Sequence, residues 1–200
     1  MLILGLTGNI GCGKSSLSNI FKSKNIEVID ADIISRNIFE DNLLLEEVFD
    51  KFGMDIKRED GTLDRKALGN IVFNNEEKLI ELNNLTHPKI YEKIISKVKE
   101  YRLKHKDIIL IDGALLIEGG YLDVVDKLLV VTCNQDRQIE RIQKRDNCTK
   151  DEALSRIMSQ MSQEEKVKYA DYTIDNSYSF EELEIKANRL IEYIKENWCE

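Results

Sequence analysis

Five short apolar runs punctuate the chain: Leu2 to Leu6, Ile26 to Ile29, Ile108 to Ile111, Leu128 to Val131 and Tyr172 to Ile174. They are rich in Val, Ile and Leu and mostly unalternated, which predicts strands covered on both faces, as in a parallel sheet. Between them apolar residues recur at helical spacing, first at Leu17, Ile20 and Phe21, later at Ile90, Tyr91, Ile94, Ile95, Val98 and Tyr101. The last such stripe, Leu183, Ala187, Leu190, Ile191, Ile194 and Trp198, is flanked by charged residues and predicts a helix packed on the sheet. The alternation of strand and helix predicts an α/β three-layer domain with a five-stranded parallel sheet and helices on both faces. From about residue 42 to 105 the pattern is helical with almost no strand signal. That is too long for a simple crossover and predicts a helical insertion.

Composition narrows the class. The chain has 200 residues, 42% of them apolar, enough for one core, and carries no internal repeat or low-complexity tract. A formal charge of −8 argues against wholesale nucleic-acid binding, yet leaves room for a local cationic pocket that holds a small anion. No run approaches the roughly 18 consecutive apolar residues of a membrane span. The opening residues lack a basic leader and a small-residue cleavage site, so a cytoplasmic enzyme without membrane partners is expected; a monomer is expected separately, with nothing in the sequence that fixes it. Cys12, Cys133, Cys148 and Cys199 are scattered without CxxC or zinc-ligand spacing and read as reduced thiols.

The strongest chemical signal is GNIGCGKS, Gly8 to Ser15, which matches GxxxxGK[ST] between an apolar strand and an amphipathic helix. Gly8, Gly11 and Gly13 let backbone N–H groups turn inward around a polyphosphate, and the following helix points its positive end at the same anion. Lys14 would then bridge β- and γ-phosphate oxygens, and the Ser15 hydroxyl would ligate magnesium. The competing reading is a glycine-rich turn without a ligand. A GTPase is disfavoured, because Asn134, Gln135 and Asp136 lack the lysine and spacing of a guanine-binding segment.

Three further groups extend the reading. VIDADIISR places Asp30 and Asp32 where a second strand ends, the edge at which open α/β folds bind ligands. Asp32 is either the carboxylate that takes a proton from an attacking hydroxyl or a cap for the helix over Ile33 to Phe39. Asp112, closing the third strand, reads as a carboxylate that holds hydrated magnesium or as an ordinary turn residue. Arg137, Arg141 and Arg145 recur every fourth residue and share one helix face, which suits a triphosphate. A solvated, charge-rich face is the alternative, given Glu140 and Lys144 on the same helix.

Taken together, LTGNIGCGKS, VIDADIISR, DGTLDRKALGNIVF, LNNLTHP, DGALLIE, SRIMSQMSQEEK and ADYTIDN resemble the dephospho-CoA kinase family, in the family's order from Leu2 to Asn176. The resemblance implies transfer of the ATP γ-phosphate to the ribose 3′-hydroxyl of dephospho-CoA, with Mg2+, in a P-loop NTPase fold of strand order 2-3-1-4-5. It implies that Gly11, Cys12, Gly13, Lys14, Ser15 and Ser16 hold ATP, that Asp32 is the base, and that Lys14, Arg141 and Arg145 act in catalysis. Arg141 and Arg145 would belong to a closing lid at about 136–170. Asn176 would lie near the adenine. Asp32, Arg36, Asp64, Arg65 and His87 would serve the CoA side, with His87 otherwise a loop histidine beside Pro88. The map it implies is one kinase domain over 1–200, with a core at about 1–41, 106–135 and 171–200 and the insertion at 42–105. Asn9, Cys12, Ser16 and Ala114 depart from the family's common Gly, Ser, Thr and Pro. Without proline, the turn after Asp112 is expected to loosen, and a Cys12 thiol in the cradle is expected to make ATP binding sensitive to oxidation or alkylation. A nucleoside or nucleotide monophosphate kinase and a non-catalytic ATP-binding module are the rival readings.

Overall fold

The computed structural model describes residues 1–72 and 75–199. Phe73, the end of the DGTLDRKALGNIVF segment, Asn74 in the helical stretch, and Glu200 lie outside them. The chain forms two compact units, one of Met1–Asp30 with Lys97–Glu200 and the other of Ala31–Ser96.

The larger unit is built on five parallel strands: β1 (Leu2–Gly8), β2 (Glu27–Asp30), β3 (Ile108–Asp112), β4 (Lys127–Thr132) and β5 (Tyr172–Asp175). They lie in the order β2-β3-β1-β4-β5, as the family resemblance implies. The central strands are buried on both faces. Leu4, Leu6, Leu110, Leu129 and Val131 pack into one core with Leu17 and Phe21 of α1 (Lys14–Ser23). Leu183, Ala187, Leu190, Ile191 and Ile194 of α9 (Phe180–Asn197) join that core. The alternate residues Ile3, Ile109, Ile111, Leu128 and Val130 are buried as well, which is why these strands read as continuous apolar runs. β5 is an edge strand with only Ile174 buried.

Three helices follow β4 in this unit: α6 (Gln135–Asp146), α7 (Lys150–Met158) and α8 (Gln163–Val167). Their starts are encoded locally. Asn134 caps α6, and Thr149 with Glu152 and Ser162 with Glu165 form reciprocal capping boxes at α7 and α8.

The smaller unit is helical: α2 (Ala31–Asn37), α3 (Asn42–Phe52), α4 (Arg65–Val72) and most of α5 (Glu76–Leu103). Its only β feature among the described residues is an antiparallel bridge from Lys57 to Leu63. Pro88 lies inside α5 rather than in a loop. A proline within a helix loses one backbone bond and costs about 3 kcal/mol. Here the helix is established for several turns on each side, and Ile90 and Ile94 are buried on its inner stripe. No helix among the described residues is long and apolar enough to cross a membrane.

Candidate active site

The loop between β1 and α1 takes its shape from two residues in the left-handed region, Gly11 (φ 81°) and Gly13 (φ 87°). Cys12 N donates to Asn9 O at 3.1 Å and Ser16 N to Gly13 O at 3.0 Å, closing the turn and starting the helix. No side chain caps α1 at Gly13, so its positive N-terminal end is left for an anion. Lys14, first in the helix, pairs with Asp112 at the end of β3 at 2.5 Å, and both side chains are largely shielded from solvent. Asp112 stands beside Leu6 of β1 on one side and Asp30 of β2 on the other. The lysine of the glycine loop and the carboxylate closing the third strand therefore meet. A short hydroxyl-bearing residue, Ser15, occupies the exposed next position.

The back of the loop is gripped by side chains far away in sequence. Gln138 Nε2 of α6 donates to Ile10 O at 2.9 Å, and Gln160 Oε1 accepts from Ile10 N at 2.8 Å. Asn9 Nδ2 donates to Met161 O at 2.7 Å. Arg141 donates to the carbonyls of Gly11, Cys12 and Asn176 at 3.3, 3.4 and 3.0 Å. Asn176 is buried, donates through Nδ2 to Cys12 O at 2.7 Å, and receives Arg141 on its own carbonyl. Of the three stripe arginines, Arg141 is held against the loop by these bonds. Arg137 pairs with Glu140, and exposed Arg145 makes two bonds to Asp146, as does Arg156 with one.

Sequence reasoning passed over Gln138, Gln160 and Gln163. Gln138 sits three residues before Arg141 on the same helix face, which was the available signal. Gln163 fastens the Cys12 thiol and the Cys133 backbone. Its Oε1 accepts from Cys12 Sγ at 3.3 Å and Cys133 N at 2.9 Å, and its Nε2 donates to Cys133 O at 3.0 Å. The hydrogen bond with Cys133, followed by burial, pushes the Cys12 pKa well up. A buried, protonated thiol is a poor nucleophile, so the structure reverses the expectation of a reactive cradle cysteine. N-ethylmaleimide should label the partly exposed Cys148 and Cys199 of the folded protein while ATP binding persists. Early loss of binding that disappears in Cys12→Ser would contradict this.

The smaller unit holds the remaining predicted residues. Asp32 lies in the first turn of α2, inside the helix rather than at a cap before it, and is partly exposed. A carboxylate there is favoured by the helix dipole. Arg65 donates to the Arg36 carbonyl and lies 5.5 Å from the centre of the Phe39 ring, which brings Arg36 and Arg65 together. Asp64 has a structural task. Its carboxylate accepts from Ala67 N at 3.0 Å and Lys66 N at 2.9 Å at the start of α4, and the Ala67 bond leads the causes that hold its pKa below the ordinary value.

His87 is half-buried in α5, and burial lowers its pKa from 6.5. Below pH 6.5 the unfolded chain takes up this proton before the folded one. The contribution is thus present above 6.5 and lost as pH falls toward the folded value. The wild-type Tm should fall more steeply than that of His87→Gln as pH drops from about 6.5 to about 5.5. Parallel melting curves would remove the effect.

A family model described as dephospho-CoA kinase matches residues 2–182. The chain belongs to the dephospho-CoA kinase family. A dephospho-CoA kinase of Carboxydothermus hydrogenoformans is 44% identical over 180 residues, covering 90% of this chain and 87% of that protein. The solved dephospho-CoA kinase of Campylobacter jejuni is 33% identical, covers 96% of both chains and superimposes with a TM-score of 0.73. A Thermus thermophilus structure, 28% identical and covering 96% of this chain and 97% of its own, gives 0.82. Membership in the dephospho-CoA kinase family implies that this chain uses ATP. The oxygen donors at the glycine loop, the Ser15 hydroxyl and the Asp112 carboxylate, fit magnesium, which takes one or two carboxylates and completes its shell with phosphate and water.

Proposed function

We propose that this ATP-dependent phosphotransferase moves the γ-phosphate of ATP to the ribose 3′-hydroxyl of dephospho-CoA, giving CoA and ADP. The observation that carries the reading is the Lys14–Asp112 pair at a glycine loop with an uncapped helix end, in a chain of the dephospho-CoA kinase family. With ATP bound, Lys14 exchanges its carboxylate partner for β- and γ-phosphate oxygens and follows the charge that develops on the transferring group. Asp112, released from the lysine, and Ser15 would hold magnesium, Asp112 through water. An ion held by these residues would supply positive charge that offsets the charge of the phosphates.

Asp32 accepts the proton of the attacking hydroxyl as the new P–O bond forms. Its place in the first turn of α2, directly after the strand that ends at Asp30, supports that role. Arg65, whose guanidinium donates to the Arg36 backbone carbonyl, and Arg36 carry cationic groups suited to the phosphates of an anionic acceptor. Arg141 acts by holding the loop carbonyls, with Asn176, so that loop N–H groups stay directed at the nucleotide. The exposed Arg145 is available to the triphosphate once it leaves Asp146.

The test is coupled ADP release with ATP and Mg2+, comparing dephospho-CoA with adenosine, AMP and no acceptor. Turnover confined to dephospho-CoA supports the assignment. Preference for AMP or adenosine would make the chain a P-loop kinase of another acceptor, and ADP release without any acceptor would sink the phosphotransfer reading.

A further inference from the structure

Among the described residues Lys166 is a charged side chain with no exposed surface, and the roles assigned above do not use it. It projects from α8, and its Nζ donates to the Ala114 carbonyl at 2.8 Å and to Glu118 Oε1 at 2.7 Å. A buried ammonium is retained at a large desolvation cost, so what it holds matters. Ala114 is two residues beyond Asp112. Its carbonyl also accepts from Thr7 Oγ1 of β1 at 3.0 Å, and the intervening Gly113 N donates to Leu6 O at 3.0 Å. The turn that was expected to loosen without proline at position 114 is therefore fixed by three bonds from two other parts of the chain.

The same short stretch that carries Lys166 also grips the phosphate loop. Gln160 accepts from Ile10 N, Met161 O accepts from Asn9, and Gln163 accepts from Cys12 Sγ. Residues 160–166 thus bind the nucleotide loop at one end and the turn after the acidic strand at the other.

We propose that Lys166 is a positioning residue for phosphoryl transfer: by holding the Ala114 carbonyl it fixes the Asp112–Gly113–Ala114 turn, and with it the placement of the Asp112 carboxylate relative to Lys14. The inference rests on the phosphotransfer reading for its kinetic part. Its structural part stands apart, because the bonds join residues of the chain to one another. Lys166 acts through Asp112 and touches no reacting atom.

The experiment compares wild type with Lys166→Met, Thr7→Val and, as a control for general loss of stability, Ile194→Val, a trimmed side chain in the core under α9. Amide exchange of the peptide around Gly113 is followed in the free proteins, and kcat, KM for ATP and the Mg2+ concentration for half-maximal rate are measured below every variant's melting temperature. Lys166→Met is expected to speed exchange at Gly113 about tenfold. It should also lower kcat at least about tenfold and raise the Mg2+ requirement severalfold, with a smaller change in KM for ATP. Thr7→Val, which removes the other side-chain donor to the same carbonyl, should shift exchange and Mg2+ dependence in the same direction by less. Ile194→Val should lower Tm and leave Mg2+ dependence alone. If Lys166→Met proves unfolded, Thr7→Val carries the decision.

Unchanged exchange at Gly113, or a Mg2+ requirement that moves equally in Ile194→Val, would overturn the proposal. Absence of turnover in wild type would remove the phosphotransfer reading, while the exchange measurement would still decide whether Lys166 fixes the turn.

Discussion

Asp32→Asn is expected to lower kcat at least about a hundredfold while leaving ATP affinity nearly intact. A hundredfold corresponds to about 2.7 kcal/mol of transition-state stabilisation, well within what a positioned general base supplies. Asparagine preserves the size and shape of the side chain and removes its capacity to take the proton. The residues that hold the phosphate loop in shape are Gln138, Arg141, Gln160 and Asn176, none of which the substitution alters. Replacing a carboxylate in the first turn of α2 also forfeits a dipole interaction of about 0.3–1 kcal/mol, which a modest fall in Tm would register without affecting rate at an assay temperature below the melt. The loss should appear in kcat and kcat/KM alike, since the proton is transferred only as the P–O bond forms. Turnover comparable to wild type would end the assignment of Asp32 as the base. A rise in the KM for ATP with kcat preserved would point instead to a binding role.

The strands and their chemistry were legible because each leaves a local trace. A strand buried on both faces must be apolar at every position, as Ile108 to Ile111 are. A phosphate loop must carry glycine where φ is positive, as Gly11 and Gly13 do. The strand order came from family resemblance, because periodicity says what is buried and nothing about which strand lies beside which. What stayed hidden are contacts between polar side chains and distant backbone. Ile10 and Gln160 are 150 residues apart, and no spacing rule marks a glutamine as the partner of a particular amide. Lys166 reads in sequence as one more charge in QEEK, although it is fully buried. The arginine stripe was correctly placed on one face, yet a shared face cannot tell that Arg141 bonds to loop carbonyls while Arg145 turns to its neighbour Asp146. Pro88, beside which His87 had a loop position as its alternative, instead lies inside α5. The local penalty is real, but the burial of Ile90 and Ile94 along α5 outweighs it.

Gly13→Ala should abolish productive ATP binding, weakening it by at least about a hundredfold, because two separate costs fall on the loop. The first is backbone conformation. Gly13 sits at φ 87°, and a residue with a Cβ pays about 1–2 kcal/mol in the left-handed region. The second is collision. An added Cβ would lie 2.1 Å from Asn176 Nδ2, far inside contact distance. Asn176 has little freedom to retreat: it is buried, its N donates to Thr132 O at 2.8 Å, and its side chain holds the Cys12 carbonyl. Pushing it away breaks that bond and disturbs the carbonyl on which Arg141 rests, so the loop loses two of its supports together. Gly61→Ala separates the two costs. Gly61 has a similar φ of 82°, yet an added Cβ there meets nothing within 4 Å. That variant should lose about 1 kcal/mol of stability and bind ATP as wild type does. Titration of ATP with each protein decides the matter. Equal affinities for the two variants would show that Asn176 yields to the new methyl group and that the loop's shape does not depend on the bare Cα at position 13.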